Sequence, residues 1–183
     1  RLWEMDGALL VHESTVTNGS GPWRVATTGD LNGDSKPDIL WQHAANGALY
    51  AWFMNGTTLV GQGPVLDSAG QFGLADSGWK VASIAPVDAD GRNDLVWQHT
   101  DGRVKVWYMN GLQESSTAVV FGSATGWRVR MAADFNRDGH TDLLWQHPSG
   151  QLYVCFLNGV SLVSDGFVTP PAVGPSWRVV GGK

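Results

Sequence analysis

Short apolar runs punctuated by polar turns return in the same order three times along this chain. "DILWQH", "DLVWQH" and "DLLWQH" each begin on aspartate, pass through a block that is apolar on both faces, and end on Trp-Gln-His. A Gly-bearing turn follows, then a second apolar run ending in "WFMNG", "WYMNG" or "CFLNG". The register is strict: Trp23 to Trp41, Trp79 to Trp97 and Trp127 to Trp145 are each 18 residues apart, and the Trp41-to-Trp97 and Trp97-to-Trp145 steps are 56 and 48. No stretch with a helical period competes with this pattern. In the third unit it predicts four strands, "WRVRMAAD", "DLLWQH", "QLYVCFLN" and "VSLVSDGFVT". Strands apolar on both faces suit sheets sandwiched between neighbours. A repeat of four antiparallel strands, about fifty residues long, predicts an all-β fold of β-propeller blades.

Aligned on one another, the repeats divide the chain into the outer half of a blade (1-21), three blades (22-77, 78-125 and 126-176) and the first strand of a further blade (177-183), about three and a half blades in all. An open array leaves strand edges and blade faces uncovered. The ring is therefore expected to be completed by further sequence or by a second chain.

Composition supports this reading and narrows the partners. Ten Trp and 24 Gly among 183 residues suit many short strands joined by tight turns. A formal charge of -5 offers no basic surface for phosphates, so nucleic acid is not an expected partner. No run approaches the roughly 18 apolar residues of a membrane span. The single cysteine, Cys155, stands where the other repeats place Trp52 and Trp107, and reads as a buried replacement side chain.

Nine of the 14 Asp lie in three loops that precede the "WQH" runs, so the acidity is local. "DFNRDGHTD" (Asp134 to Asp142) and "DLNGDSKPD" (Asp30 to Asp38) carry oxygen-bearing side chains at places one, three, five and nine. A hard cation such as Ca²⁺ takes six to eight oxygens, and alternate residues of a turning loop can supply them. The expected ligands are Asp30, Asn32, Asp34, the Lys36 carbonyl and Asp38 in the first loop, and Asp134, Asn136, Asp138, the His140 carbonyl and Asp142 in the third. Gly139 eases its turn, and Ser35 holds the equivalent place in the first loop. In the middle loop Pro86 takes the first place and leaves Asp88, Asp90 and Asp94, a degenerate site expected to be weak or empty. Metal-free Asx turns are the alternative for all three loops. Carboxylates repeated on every blade do not resemble a catalytic acid held apart in a cleft.

At "DLNGDSKPDILWQH", "DFNRDGHTDLLWQH" and the trailing "WFMNG" the chain resembles the FG-GAP or VCBS repeat family, the integrin-α-type β-propellers. The resemblance implies calcium in the loop between the first two strands of a blade, and an extracellular or cell-surface location. Some relatives are seven-bladed lectins that hold sugars between blades, which implies carbohydrate or a glycoprotein as partner. The residues that would meet such a ligand are Trp41, Gln42 and His43, Trp97, Gln98 and His99, and Trp145, Gln146 and His147. The bland alternative is that the Trp recur because blade packs on blade, and that His43, His99 and His147 are satisfied interblade hydrogen bonders. A structural or protein-interaction scaffold competes with the lectin. An enzyme is not expected, since no "HExxH", "GxSxG" or Gly-rich phosphate loop is present.

Overall fold

A computed structural model describes residues 2–6, 9–14, 21–72, 78–172 and 174–179. Two strands, β1 (Leu2–Asp6) and β2 (Leu9–Ser14), form an antiparallel hairpin. Three four-stranded meanders follow. The first is β3 (Trp23–Gly29), β4 (Asp38–His43), β5 (Leu49–Asn55) and β6 (Thr58–Val65). The second is β7 (Trp79–Ala85), β8 (Asp94–His99), β9 (Val104–Asn110) and β10 (Gln113–Phe121). The third is β11 (Arg128–Ala133), β12 (Asp142–Gln146), β13 (Gln151–Asn158) and β14 (Ser161–Ala172). All pairings within them are antiparallel, the described residues contain no helix, and no sheet closes into a barrel. These are propeller blades, as the repeat predicts.

Local chemistry sets the strand ends. Each third strand turns into the fourth through Asn-Gly, and Gly56, Gly111 and Gly159 have φ of 60°, 64° and 61°. That left-handed backbone is what a tight hairpin needs and glycine supplies without strain. Every first strand carries a bulge at one place, between Val25 and Thr27, Val81 and Ser83, and Val129 and Met131. A bulge adds local twist, and here it recurs where the first strands β3, β7 and β11 lie side by side. These strands line a hollow with Val25, Thr27, Val81, Val129 and Arg130 on its wall, the inner end of a propeller sector.

The cores lie between blades. Leu40, Leu49 and Val65 of the first blade pack with Val81, Leu95, Trp97 and Trp107 of the second. Val96, Val104 and Val106 of the second pack with Val129, Leu143, Trp145 and Cys155 of the third. The two interfaces trade volume. Val65 pairs with Leu49 and Phe121 with Val104, so Phe121 holds in the second blade the place of Val65 in the first. Where Trp107 gives way to Cys155, the smaller Val65 gives way to Phe121, whose ring meets Trp145 edge-on at 5.5 Å. A core packed to crystal-like density requires such compensation. Cys155 is buried and free, and burial, with the Asp165 carboxylate second, pushes its thiol up to about 11. It is a core side chain, as its replacement of a Trp suggested.

Residues 177–179 follow no regular strand, although the sequence repeat predicts one beginning there; residues 180–183 lie outside the described residues. The backbone of 177–179 nonetheless takes the seat of a first strand. Gln146 Nε2 donates to the Trp177 carbonyl at 3.0 Å and the Val179 amide donates to Gln146 Oε1 at 3.2 Å. Gln98 makes the same two bonds with Trp127 and Val129.

Candidate metal loops and aromatic pocket

The three acidic loops each join a first strand to a second, and their last aspartate is a buried clasp. Asp38, Asp94 and Asp142 are all fully buried. In each, one carboxylate oxygen accepts the amide at the start of its own loop, Leu31 at 2.8 Å, Val87 at 3.0 Å or Phe135 at 2.9 Å. The other oxygen accepts the amide of Met54, Met109 or Leu157 at the end of the third strand, at 2.9, 3.0 and 3.0 Å. Burial raises the pKa of Asp38 and Asp94, opposed by these same amides, which favour the charged form.

The first aspartate organises the exposed part of the loop. Asp30 Oδ1 accepts the amides of Asn32, Gly33 and Asp34, and Oδ2 accepts that of Ser35. Asp134 accepts the amides of Arg137, Asp138 and Gly139. To present these amides inward, the fourth and sixth residues of both loops turn left-handed. Gly33 and Ser35 have φ of 81° and 65°, and Arg137 and Gly139 have 65° and 88°. The sequence pointed to the sixth place only; the fourth became visible in the structure. Pro86 has no carboxylate to gather amides, and in its loop only Gly91 at the sixth place is left-handed. Because a left-handed L-residue costs roughly 1–2 kcal/mol relative to its preferred region, Ser35→Gly and Arg137→Gly should each raise stability in urea by about 1 kcal/mol, while Ala89→Gly, at the fourth place of the middle loop, should lower it slightly.

A second feature missed in the sequence is the eighth place. Asn93 Nδ2 donates to the Asp30 carbonyl at 2.8 Å, and the Thr141 hydroxyl donates to the Pro86 carbonyl at 2.5 Å. The second and third loops are thereby each tied to the loop of the preceding blade. The signal was a polar residue at this place in the second and third repeats, where the first has Pro37.

The donors brought together for a cation are oxygen only, which suits Ca²⁺. In this geometry the side-chain oxygens of places one, three and five are turned onto loop amides; Asn32 and Asp34 each accept the amide two residues on, as do Asn136 and Asp138. Asn136 also donates to Asp138 Oδ2 at 2.8 Å. Among the described residues no three His, Cys, Asp or Glu side chains converge on a cation-sized centre. The Asx turns weighed against the metal are therefore present, and they occupy Asp30 Oδ1 with three loop amides and Asp134 Oδ1 with two.

The "WQH" runs separate into distinct places. Gln42, Gln98 and Gln146 are buried and point across to the next blade; Gln42 Nε2 donates to the Trp79 carbonyl at 3.1 Å. Gln98 and Gln146 use both ends of the amide in this way, so these glutamines staple blades instead of facing a ligand. His43, His99 and His147 lie against the first Trp of their own blades, with ring centroids at 5.0, 5.1 and 5.2 Å. Trp97 and Trp145 are buried in the interblade cores. Trp41 is only half-buried, and with Trp23, Tyr50 and Trp52 it lines an open aromatic cavity of about 230 Å³ on the first blade. Trp41 and Trp52 meet edge-on at 5.0 Å.

Residues 87–145, from the second loop through the third to Trp145, match a family profile described as an FG-GAP-like repeat. This segment is similar to an FG-GAP-like repeat. The match takes in the second blade's strands β8 to β10 and both flanking loops; the second loop and β8 to β10 recur in register as the first loop and β4 to β6. No curated protein sequence matches the chain. The FG-GAP-like repeat and the stacked four-stranded sheets together make the chain a β-propeller-like module.

Proposed function

We propose that this module is a calcium-stabilised, non-catalytic β-propeller that binds carbohydrate, in an extracellular or cell-surface setting. The observation that carries the binding reading is the aromatic cavity formed by Trp23, Trp41, Tyr50 and Trp52. Sugars present C–H faces that stack on such rings, and a shallow apolar seat with few polar groups is how small ligands are held. The polar share falls to groups at the rim, since Gln42 is engaged with the next blade. A glycan array tests this: sugar-competable binding lost in Trp23→Ala supports it, and a blank array sinks it.

A structural scaffold is the second reading. Val119, Leu162, Val163 and Phe167, on the outermost strands β10 and β14, are 70%, 49%, 66% and 57% exposed, an apolar surface that a further blade or a second chain would cover. Self-association or added blades with no glycan binding would favour it.

Calcium is supported by the oxygen-only donor sets of the first and third loops. Ligand binding stabilises by about 2.7 kcal/mol per site at 100 times the dissociation constant. EDTA should therefore lower the melting temperature, and Asp138→Ala should remove one such increment while leaving the middle loop unaffected. A melting temperature indifferent to chelator would defeat the calcium reading.

A further inference from the structure

The second blade already contains a guest in the place where the first blade is open. Register aligns Trp23 with Trp79, Trp41 with Trp97, Trp52 with Trp107, and Tyr50 with Lys105. In the second blade the Lys105 ammonium stands 4.5 Å from the Trp79 ring centre, 5.7 Å from Trp97 and 5.3 Å from Trp107. Three indole faces directed at one cation attract it through their quadrupoles, and the attraction grows as water is excluded. The third blade has no such cage, because Cys155 replaces the third Trp. The first blade keeps all three indoles and replaces the lysine with Tyr50, leaving a cavity of about 230 Å³ walled by four aromatic rings.

We propose that this cavity is a binding site for a methylated ammonium group, as carried by a small choline-like molecule. The proposal shares the pocket with the carbohydrate reading and rests on its being a ligand seat, not on the ligand being a sugar. Two observations select the chemistry. Lys105 shows that this arrangement of indoles accommodates a cation, and does so in a blade already covered by its neighbour, where Val65 packs in the core that holds Trp97. The seat for the cation therefore survives when another blade lies against the cage. The walls also favour methylated over primary ammonium. A primary ammonium needs hydrogen-bond acceptors, and in the second blade the Glu114 carboxylate lies close enough to feel the Lys105 charge. At the place of Glu114 the first blade has Leu59, and the described residues lining its cavity are aromatic. A trimethylammonium group carries its charge on C–H surface and asks for no acceptor.

The test is titration of the purified chain with choline, followed by tryptophan fluorescence and calorimetry, beside 3,3-dimethylbutan-1-ol, its uncharged isostere. Choline should bind with one site per chain, and the isostere about five- to thirtyfold more weakly, as a cation–π term of about 1–2 kcal/mol implies. Tyr50→Lys should abolish binding by furnishing the internal ammonium of the second blade. Lys105→Tyr should raise the stoichiometry to two, a gain that misfolding cannot imitate. Equal affinity for the isostere, or no response to choline, overturns the proposal; glycan binding in the latter case would leave the carbohydrate reading standing. A response to phosphocholine vesicles without one to free choline also overturns it, because a lipid surface would then be what is recognised.

Discussion

Asp94→Ala should destabilise the protein by about 4 kcal/mol, although Asp94 lies in the loop least suited to a metal. Its two oxygens accept the buried amides of Val87 and Met109, and removing them leaves two donors unpaired at roughly 1–3 kcal/mol each. The clasp holds the start of the loop to the end of β9, so its loss releases both. Asp94→Asn keeps one acceptor and turns an amide NH2 toward the other donor; it should cost about half as much. Asp88→Ala, two turns of chain away on the exposed part of the same loop, should change stability by less than about 0.5 kcal/mol. Urea denaturation of the three variants gives the comparison. A cost below about 1 kcal/mol for Asp94→Ala, a quarter of the expected value, would mean that water replaces the carboxylate at both amides.

Gln98→Ala should cost about 3 kcal/mol, and for a different reason: it separates blades. Nε2 donates to the Trp127 carbonyl at 2.9 Å and Oε1 accepts the Val129 amide at 3.0 Å, so one side chain satisfies two backbone groups of the neighbouring sheet. Truncation leaves both groups unpaired and opens a cavity between the second and third blades. Gln98→Glu isolates the hydrogen bond from the packing. At neutral pH it places a carboxylate oxygen against the Trp127 carbonyl and should be at least as costly as alanine. Burial and that carbonyl raise the folded pKa of the introduced acid, so the folded state binds the proton more readily and the variant should regain stability as pH falls. Denaturation at pH 7 and pH 4.5 reads the difference. A Gln98→Glu protein as stable as the parent at pH 7 would show that the staple is dispensable.

The resemblance that the sequence carried was to repeats, and its reliable content was periodic. The 18-residue Trp spacing, the Asn-Gly turns and the two-faced apolar runs determined four-stranded blades, because strand period, hairpin chemistry and burial on both faces are local properties that a repeat states three times over. The acidic loops were legible as loops for the same reason.

Where the side chains of the loops and the "WQH" runs sit was decided by tertiary contacts. Sequence placed Gln42, Gln98 and Gln146 with candidate ligand residues, yet their amides reach backbone groups 29 to 37 residues away on the next blade. It named Asp38 and Asp142 with the other loop residues; the structure adds that each is buried and accepts two backbone amides. The eighth loop place and the exchange of Val65 for Phe121 opposite Cys155 depend on which blade faces which, and the left-handed fourth place on how Asp30 and Asp134 gather the amides of their own loops. Equivalent positions in the repeats have different neighbours, and only the packed structure distinguishes an indole cage filled by Lys105 from one left open beside Tyr50.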